Sequence, residues 1–260
     1  VMITPDGFIG FSQAGMLSPD GKCQAFAAEA NGFVRGEGAG MVLLKPLSQA
    51  IADGNPIHGV SLGSSLNQDG HTNGISLPSP DAQARLVSDA CIDAGINPSQ
   101  VGYVEAHGTG TAVGDPIEAT ALSNALCGER PTDVPLPIGS VKTNLGHLET
   151  AAGVVGLIKA LLVLKNGQIP PSLHFKTPST HIDFTALKLR VPTKMESFPK
   201  TGDQRIVGVN SFGFGGANAH VIVGEAPAQA PVATESAPSD RGWPLVLSAR
   251  SENALQNIAS

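Results

Sequence analysis

The chain has few aromatic residues, few cysteines and no cluster of basic residues, and each shortage argues against a class of protein. Aromatic residues make up 4% of the 260 residues, so Val, Leu, Ile and Ala must fill the core. The formal net charge of −6 disfavours nucleic acid as a partner. The three cysteines, Cys23, Cys91 and Cys127, lie far apart in the sequence. This odd, scattered set predicts no disulfide framework and fits a reducing cytoplasm.

Motifs for membranes, nucleotides and metals are also missing. The longest apolar stretch, residues 151–164, includes Lys159 and is shorter than the ~20 residues that span a bilayer, so we predict no membrane contact. There is no Gly-Lys-Ser/Thr, and the glycine-rich blocks lack the Gly-x-Gly-x-x-Gly spacing of dinucleotide sites. The histidines and cysteines show no close ligand spacing, so we predict no metal site.

Glycine, in contrast, is abundant, with 31 residues, or about 12% against a usual ~7%. Many of these glycines flank histidines, which indicates tight loops rather than flexible linkers. The length suits one large domain, or one domain plus a fragment of another.

Hydrophobic periodicity predicts alternating strands and helices. We expect an irregular segment at 1–37 and strands at 40–45 (buried), 57–64, 101–106, 138–141, 205–211 and 218–223. We expect helices at 80–94, with Ser79 as the N-cap and Gly95 at the end, at 116–126, and at 148–165, where Gly167 stops the helix. The last two strands flank a glycine-rich block and are expected to pair antiparallel. This order predicts a mixed α/β layered domain over 1–225. A linker rich in Ala, Pro and Ser follows at 226–241. A further unit begins at 242–260, with a strand expected at 243–250 and a helix whose start is capped by Ser251.

Two histidines lie beside glycine-rich turns. His107 comes where a predicted strand ends and a Gly-Thr-Gly-Thr loop begins, a position where side chains reach a cleft. Taken alone, such a histidine is more often hydrogen-bonded within its own loop. His147 precedes the long apolar helix, whose positive dipole end disfavours imidazolium. A neutral imidazole there either donates a hydrogen bond to a developing oxyanion or serves as a helix cap.

Lys142 lies five residues before His147, at the end of an apolar strand. It is either a surface lysine or a buried one that needs a carboxylate partner, for which Glu118 is the candidate. However, Asp115-Pro116-Ile-Glu118 also has the pattern of a helix N-terminus with a capping box, and the spacing favours that structural role.

The glycine-rich block at residues 212–216, Phe-Gly-Phe-Gly-Gly, is compatible with two structures. It is able to direct backbone N–H groups at one point, as an oxyanion hole requires. Loops of this kind also occur as plain turns.

Three blocks, in this order, resemble the signature motifs of β-ketoacyl synthases: residues 105–118 (beginning Glu-Ala-His-Gly-Thr-Gly-Thr), 142–147 (Lys-Thr-Asn-Leu-Gly-His) and 210–220 (beginning Asn-Ser-Phe-Gly-Phe-Gly-Gly). When residues 32–40 and 67–70 are also considered, the chain is most similar to ketosynthase domains of modular type I polyketide synthases. This resemblance covers roughly residues 1–225. Residues 243–250 resemble the start of the linker to an acyltransferase domain.

This resemblance implies a thiolase-like α-β-α-β-α layered fold, with the second half essentially complete and the first half truncated, in a homodimer. It implies an acyltransferase that performs decarboxylative Claisen condensation. A cysteine takes the acyl chain, a malonyl-type extender loses CO2, and the enolate attacks the acyl thioester. No cofactor is expected to bind directly, because phosphopantetheine is carried by a partner acyl carrier protein. The acyltransferase domain of the same polyprotein is the second expected partner.

The resemblance also implies roles for single residues. His107 and His147 match the two catalytic histidines, and Lys142 matches the lysine that organises them, with Glu118 as its partner. The gating aromatic, whose backbone N–H contributes to the oxyanion hole, is matched by Phe214. The remaining matches support the site or contact pantetheine, and they are Thr109, Thr111, Asn218 and, as a further candidate, Ser76.

One part of the family pattern is missing. The nucleophile of the family lies in a Cys-Ser-Ser block in the first half of the domain, and this sequence has no such block. Cys23 matches a non-catalytic cysteine, so we expect the nucleophile to precede Val1. Two other hypotheses stay open. A non-catalytic structural partner of a synthase would not require both histidines and Lys142, and a thiolase-type acyltransferase would not decarboxylate its substrate.

We predict that this polypeptide by itself forms no acyl-enzyme, because none of its cysteines lies in the nucleophile motif. A carrier-loading assay with a labelled acyl group measures the transfer. The variant Cys23→Ala is the control, and labelling of the unsubstituted chain that this variant abolishes would contradict the prediction.

Overall fold

A computed structural model describes residues 2–72, 74, 77–228 and 248–259. The chain divides into two units, residues 1–227 and 228–260. In the second unit, the described residues form one helix, α7 (Glu252–Ala259), and the Ser251 hydroxyl accepts the backbone N–H of Ala254 at 3.3 Å, as predicted for a helix cap. Most of the predicted linker and of the strand at 243–250 lies outside the described residues.

One mixed sheet forms the centre of the first unit. Its spatial order is β1 (Val60–Gln68), β8 (Ala217–Gly224), β7 (Ile206–Phe212), β2 (Tyr103–Glu105), β3 (Leu136–Gly139) and β5 (Leu189–Arg190). The first three strands pair antiparallel, and β7, β2, β3 and β5 run parallel. Strands β4 (Gln168–Ile169) and β6 (Glu196–Ser197) form a separate antiparallel pair.

Helices cover both faces of this sheet. Helices α3 (Pro80–Asp93) and α4 (Gly114–Leu126) pack on one face, and α6 (Ala152–Asn166) packs on the other. The unit also contains α1 (Asp6–Gln13), α2 (Leu47–Ala52) and α5 (Lys142–Leu145). Alternate residues of each strand point to opposite faces, so Ile206 packs into the cluster beside α3 and α4, and Val207 packs into the cluster beside α6. Within the described ranges, no helix has the length and apolar character needed to cross a membrane.

Several predicted elements are confirmed where the signal is local. Ser79 caps α3 by accepting the N–H of Ala82 at 3.2 Å, and Gly95 follows the helix with φ +65°. Gly167 ends α6 in the left-handed conformation that glycine adopts readily, with φ +60°. The antiparallel pairing of β7 with β8 and the mixed α/β layering are also confirmed.

Two predictions near the start of the chain are wrong. The segment expected to be irregular contains α1, whose Phe8 and Phe11 rings lie 4.7 and 5.3 Å from the Arg35 guanidinium, a tertiary contact that short-range patterns do not show. The buried strand expected at 40–45 is neither paired nor buried, and Met41 and Leu43 are 93% and 95% exposed. Within the described residues, no strand pairs with this segment, so its apolar side chains remain at the surface.

The parallel strands determine where the polar residues meet. Chain direction is shared by β7, β2 and β3, so their carboxyl ends lie at one edge of the sheet, where ligand sites of α/β folds form. Phe212 ends β7, His107 lies two residues after β2, and Lys142 lies three residues after β3. The edge therefore collects the residues that the sequence singled out.

We predict that the exposed segment 41–44 makes the isolated chain bind a hydrophobic dye and self-associate, because an apolar patch of this kind favours association. The variant Leu43→Asp should lower dye fluorescence and light scattering. It should change the free energy of unfolding by no more than about 0.5 kcal/mol, as is usual for an exposed side chain.

The matched control is Leu162→Asp, which places the same charge at an exposed leucine of α6. A monodisperse monomer without dye binding would contradict this prediction, as would an equal loss of fluorescence in both variants.

Candidate active site

A cavity of about 1030 Å³ opens at this edge of the sheet. Both predicted histidines line it, together with five other predicted site residues, Thr109, Thr111, Glu118, Phe214 and Asn218. Its volume is in the range of small-molecule and cofactor sites. Ser76 lies outside the described residues.

A tight glycine loop follows β2 and carries His107. Gly108 has φ +39° and Gly110 has φ +78°, conformations that side chains disfavour. A Cβ on Gly108 would also lie 2.7 Å from the Cβ of Ser140. The turn brings the Thr109 and Thr111 hydroxyls to 3.2 Å from each other at the cavity.

Glu118 holds this loop from below. Its carboxylate accepts the backbone N–H of His107 at 2.7 Å, the N–H of Gly108 at 2.8 Å, and the side-chain amide of Asn210 at 2.8 Å. Buried N–H groups need partners, and these three donors take up the carboxylate. Burial raises the pKa of Glu118, and the hydrogen bonds oppose that shift.

The predicted capping box is therefore wrong. Helix α4 begins at Gly114, and its cap residue Val113 is not paired with any side chain. Asp115 lies inside the helix and accepts the backbone N–H of Phe26 at 2.7 Å and that of Gly110 at 3.2 Å. Burial raises the pKa of Asp115 to about 7 despite these bonds. The loop that precedes α4 and the more distant residues Phe26 and Asn210 thus take up the carboxylates that a capping box would use.

Lys142 is buried, and its direct partner differs from the predicted one. Its Nζ donates to the backbone carbonyl of His107 at 2.5 Å, and in the described contacts it forms no ion pair with Glu118. Burial lowers the pKa of Lys142, whereas the charges of Glu105 and Glu118 oppose this effect. Glu118 thus acts on Lys142 through its charge.

The backbone of His147 is held by the segment that follows Phe33. Its N–H donates to the Val34 carbonyl at 2.6 Å, and its carbonyl accepts the N–H of Gly36 at 2.9 Å. A short 3-10 turn, Glu149–Ala151, separates His147 from α6. The histidine thus lies farther from the long helix than predicted, and backbone pairing rather than a helix terminus places it.

Both histidines have the same tautomer. Nδ1 of His107 accepts the backbone N–H of Phe212 at 3.3 Å, and Nδ1 of His147 accepts that of Glu149 at 2.9 Å. An imidazole nitrogen that accepts a hydrogen bond carries no proton, so the proton of each neutral ring is on Nε2. The ring centroids lie 5.5 Å apart.

The surroundings keep both rings neutral. Burial, with a further contribution from the charge of Lys142, lowers the pKa of His107 well below its ordinary value and that of His147 to about 4. At neutral pH, each ring therefore offers one N–H donor at Nε2, and together they suit the oxygen of a developing oxyanion.

Phe214 is at the tip of the loop between β7 and β8, 49% exposed. Its ring packs edge-on against Phe11, 5.9 Å away, and Phe11 packs against Phe33 at 5.6 Å. The Phe33 ring in turn lies 5.4 Å from His147. Sequence reasoning missed Phe11 and Phe33, because the segment 1–37 shows no strong periodicity.

Two further polar residues were missed beneath the loop. His220 is fully buried, and burial lowers its pKa to about 3. Its Nδ1 pairs with Oδ1 of Asn210, whose amide donates to Glu118, so Nδ1 of His220 is the donor. The signal was present in the sequence, because both are polar residues in strands whose other residues are mostly apolar.

No cysteine of this chain provides a nucleophile at the cavity. All three are described, all are buried, and none lines the cavity. Burial raises the pKa of the Cys23 and Cys127 thiols and raises that of Cys91 to about 11, which suppresses the reactive thiolate. In the described part of the chain, no group of three or more His, Cys, Asp or Glu is placed to hold a metal ion.

Comparison with known proteins decides the family. Residues 1–50 match the β-ketoacyl synthase N-terminal domain, 58–176 its C-terminal domain, and 178–260 the ketoacyl-synthetase C-terminal extension. The chain belongs to the β-ketoacyl synthase family. The resemblance predicted from the three motif blocks is thereby confirmed.

The relatives of this ketosynthase chain are polyketide synthases. It is 54% identical to a phenolphthiocerol/phthiocerol polyketide synthase of Mycobacterium tuberculosis, over 86% of this chain and 12% of that protein. It is 50% identical to a polyketide synthase of Streptomyces halstedii, over 94% of this chain and 3% of that one. The chain thus spans a small fraction of the length of these relatives.

Solved ketosynthases confirm the thiolase-like fold. The ketosynthase from module 6 of the bacillaene synthase of Bacillus subtilis 168 matches with TM-score 0.83 and 45% identity, over 87% of this chain and 41% of that chain. The oxazolomycin ketosynthase domain of Streptomyces albus JA3453 matches with TM-score 0.84 and 40% identity, over 89% and 42%.

We predict that Glu118→Gln lowers the free energy of unfolding by about 1–3 kcal/mol, because an amide turns N–H groups toward backbone donors that need an acceptor. Urea unfolding measures the change. Glu129→Gln is the control, since that carboxylate is exposed and its one acceptor contact among the described residues is with the Asn97 amide, at 3.2 Å. Equal stability of the two variants would contradict the role given to Glu118.

Proposed function

We propose that this chain supplies the histidine half of a polyketide synthase site for decarboxylative Claisen condensation. The observation that carries the proposal is the pair of neutral histidines, His107 and His147, that line one cavity with Nδ1 occupied and the proton on Nε2. Two such donors match the oxygen of a thioester enolate, on which negative charge develops during decarboxylation.

The reaction proceeds in two balanced steps. In the first, the bond between the α-carbon and the carboxylate of a malonyl-type thioester breaks, CO2 leaves, and the electron pair forms the enolate. The Nε2–H groups of His107 and His147 hydrogen-bond to the enolate oxygen. In the second step, the α-carbon attacks the carbonyl of an acyl thioester, a carbon–carbon bond forms, and the acyl-bearing sulfur leaves as thiolate.

Lys142 supports this chemistry without touching the substrate. It donates to the His107 carbonyl, and its charge disfavours protonation of both imidazoles. A protonated ring would transfer its proton to the enolate and quench it, so neutral donors suit the reaction better.

The acyl thioester comes from a nucleophile other than the three cysteines of this chain, whose thiols are buried and remain protonated. We assign that role to a cysteine outside residues 1–260. Phe214 gates the cavity where the acyl chain enters, and its backbone N–H contributes to the hole for the acyl carbonyl.

The partners follow from the same reaction. The extender is carried on the phosphopantetheine arm of an acyl carrier protein, and the hydroxyls of Thr109 and Thr111 and the amide of Asn218 lie on the cavity wall where that arm would pass. An acyltransferase domain of the same polyprotein loads the carrier. The intact ketosynthase domain works as a homodimer in the cytoplasm, where reduced cysteines persist. The alternative of a non-catalytic partner is not favoured, because the donor pair and Lys142 are intact.

Histidine variants test the proposal in a synthase that contains this chain. We expect His107→Ala and His147→Ala each to slow decarboxylation of malonyl-carrier protein by about 10²–10³-fold, because each removes one preorganised donor to the enolate. Release of CO2 measures the rate. The control is His181→Ala, at an exposed histidine, and unchanged rates in both site variants would refute the proposal.

The rate should also depend little on pH over the range where an ordinary histidine titrates. Because the pKa of His147 is about 4, the ring stays neutral as the pH falls through 6.5. We therefore expect decarboxylation to decline only below about pH 5. A single-turnover pH profile measures this, and a decline centred near 6.5 would contradict the neutral-donor assignment.

A further inference from the structure

Glu105 is a buried carboxylate that the mechanism above does not use. It ends β2, is 1% exposed, and does not line the cavity. One oxygen, Oε1, accepts the backbone N–H of Val141. The other, Oε2, accepts the Tyr103 hydroxyl at 2.8 Å and forms an ion pair with Lys159 Nζ at 2.7 Å. A buried charge with three donors is fully compensated, so this carboxylate is a built feature of the interior.

These contacts connect the three segments that carry the site. Glu105 lies two residues before His107 on β2, and Val141 immediately precedes Lys142. Lys159 belongs to α6, the helix that follows the His147 segment. The carboxylate therefore lies where the His107 strand, the Lys142 turn and the helix after His147 meet.

Small residues leave room for this cluster. A Cβ on Gly139 would lie 2.7 Å from the Tyr103 hydroxyl and 3.5 Å from Lys159 Nζ. A Cβ on Gly156 would lie 3.5 Å from Cγ of Glu105. The Lys159 ammonium also lies 5.8 Å from the centroid of the Tyr103 ring. Glycine at 139 is thus required by the cluster rather than by its backbone conformation.

We propose that Glu105, anchored by Tyr103 and Lys159, is a positioning residue that sets the placement of Lys142 relative to His107. The inference rests on the proposed function, because it assigns Glu105 a role in that same reaction. Two links join the segments: Lys142 Nζ donates to the His107 carbonyl, and the Val141 N–H donates to Glu105. Without the second link, the Lys142 turn is free to shift away from the loop.

The charge of Glu105 gives its positioning role a second measurable effect, on the pKa of Lys142. The groups that act on Lys142 are the carboxylates of Glu105 (β2) and of Glu118 and Asp115 (α4), the Cys23 thiol, and the two neutral imidazoles. Burial lowers the pKa of Lys142, and Glu105 contributes most among the groups that oppose this. Removal of its charge lowers that pKa further, so Lys142 loses its proton at a lower pH.

The test uses Glu105→Gln in a synthase that contains this chain. We expect kcat for decarboxylation of malonyl-carrier protein to fall roughly 10- to 100-fold, as misplacement of a catalytic group does, with KM unchanged. The alkaline limb of the pH profile should move to lower pH. The matched control is Glu225→Gln, which removes a carboxylate paired with Arg205 at the opposite edge of the sheet and should leave both quantities unchanged.

A second pair of variants covers the case in which Glu105→Gln does not fold. Tyr103→Phe removes one donor and keeps the ring, and Lys159→Gln removes the anchoring charge. Each of these variants should lower kcat by less than Glu105→Gln does. Where Glu105→Gln folds, the double variant Glu105→Gln with Lys159→Gln should lose no more kcat than Glu105→Gln alone. Independent, additive losses would overturn the proposal, because they would mean that the residues do not act as one cluster.

The outcomes separate this proposal from the proposed function. If His107→Ala abolishes decarboxylation while Glu105→Gln retains the wild-type kcat and pH profile, the positioning role is overturned and the function stands. If Glu105→Gln loses activity only in proportion to its folded fraction, with an unshifted pH profile, the residue has only a structural role, and the positioning proposal is overturned. If the histidine variants themselves keep full activity, the function fails whatever Glu105 does.

Discussion

The carboxylate of Glu118 forms the contact on which the rest of the site depends. It accepts the N–H groups of His107 and Gly108 and the amide of Asn210, and so joins the loop after β2 to helix α4 and strand β7. The other contacts of His107 depend on this conformation of the loop. The His107 carbonyl receives Lys142, and the His107 ring meets the Phe212 N–H. An acceptor with fewer lone pairs could not serve three donors at once.

The charges of the interior are balanced rather than isolated. Lys142 is close enough to both histidines to disfavour their protonation, and the carboxylates of Glu105 and Glu118 keep Lys142 charged against the cost of burial. In a buried site of low dielectric constant, such interactions between charges are stronger than in water. Burial is the main cause that keeps both rings neutral, and Lys142, which does not line the cavity, adds to it through its charge.

The cavity wall depends on chain segments that are far apart in sequence. Phe11 of α1 and Phe33 lie between the Phe214 tip and His147, with ring separations of 5.4 to 5.9 Å. The segment after Phe33 pairs with the backbone of His147, and Arg35 forms an ion pair with Glu149 at 2.8 Å. Residues near the start of the chain therefore form part of the cavity wall and help to hold His147 in place.

The sequence alone determined the features that depend on neighbours in the chain. It predicted the Ser79 cap, the Gly95 and Gly167 stops and the β7–β8 hairpin, because capping, left-handed glycine and period-two alternation act within a few residues. Its motif blocks also identified the family and the two histidines that share the cavity.

Only the tertiary structure decided which partner each polar group receives. The carboxylates of Asp115 and Glu118 accept from loops rather than cap α4, and Lys142 contacts a carbonyl rather than Glu118. The segment at 40–45 has the composition of a buried strand yet lies exposed without a paired strand in the described residues. Burial and pairing are set by elements distant in sequence, and local patterns carry no information about which of several donors will reach a given acceptor.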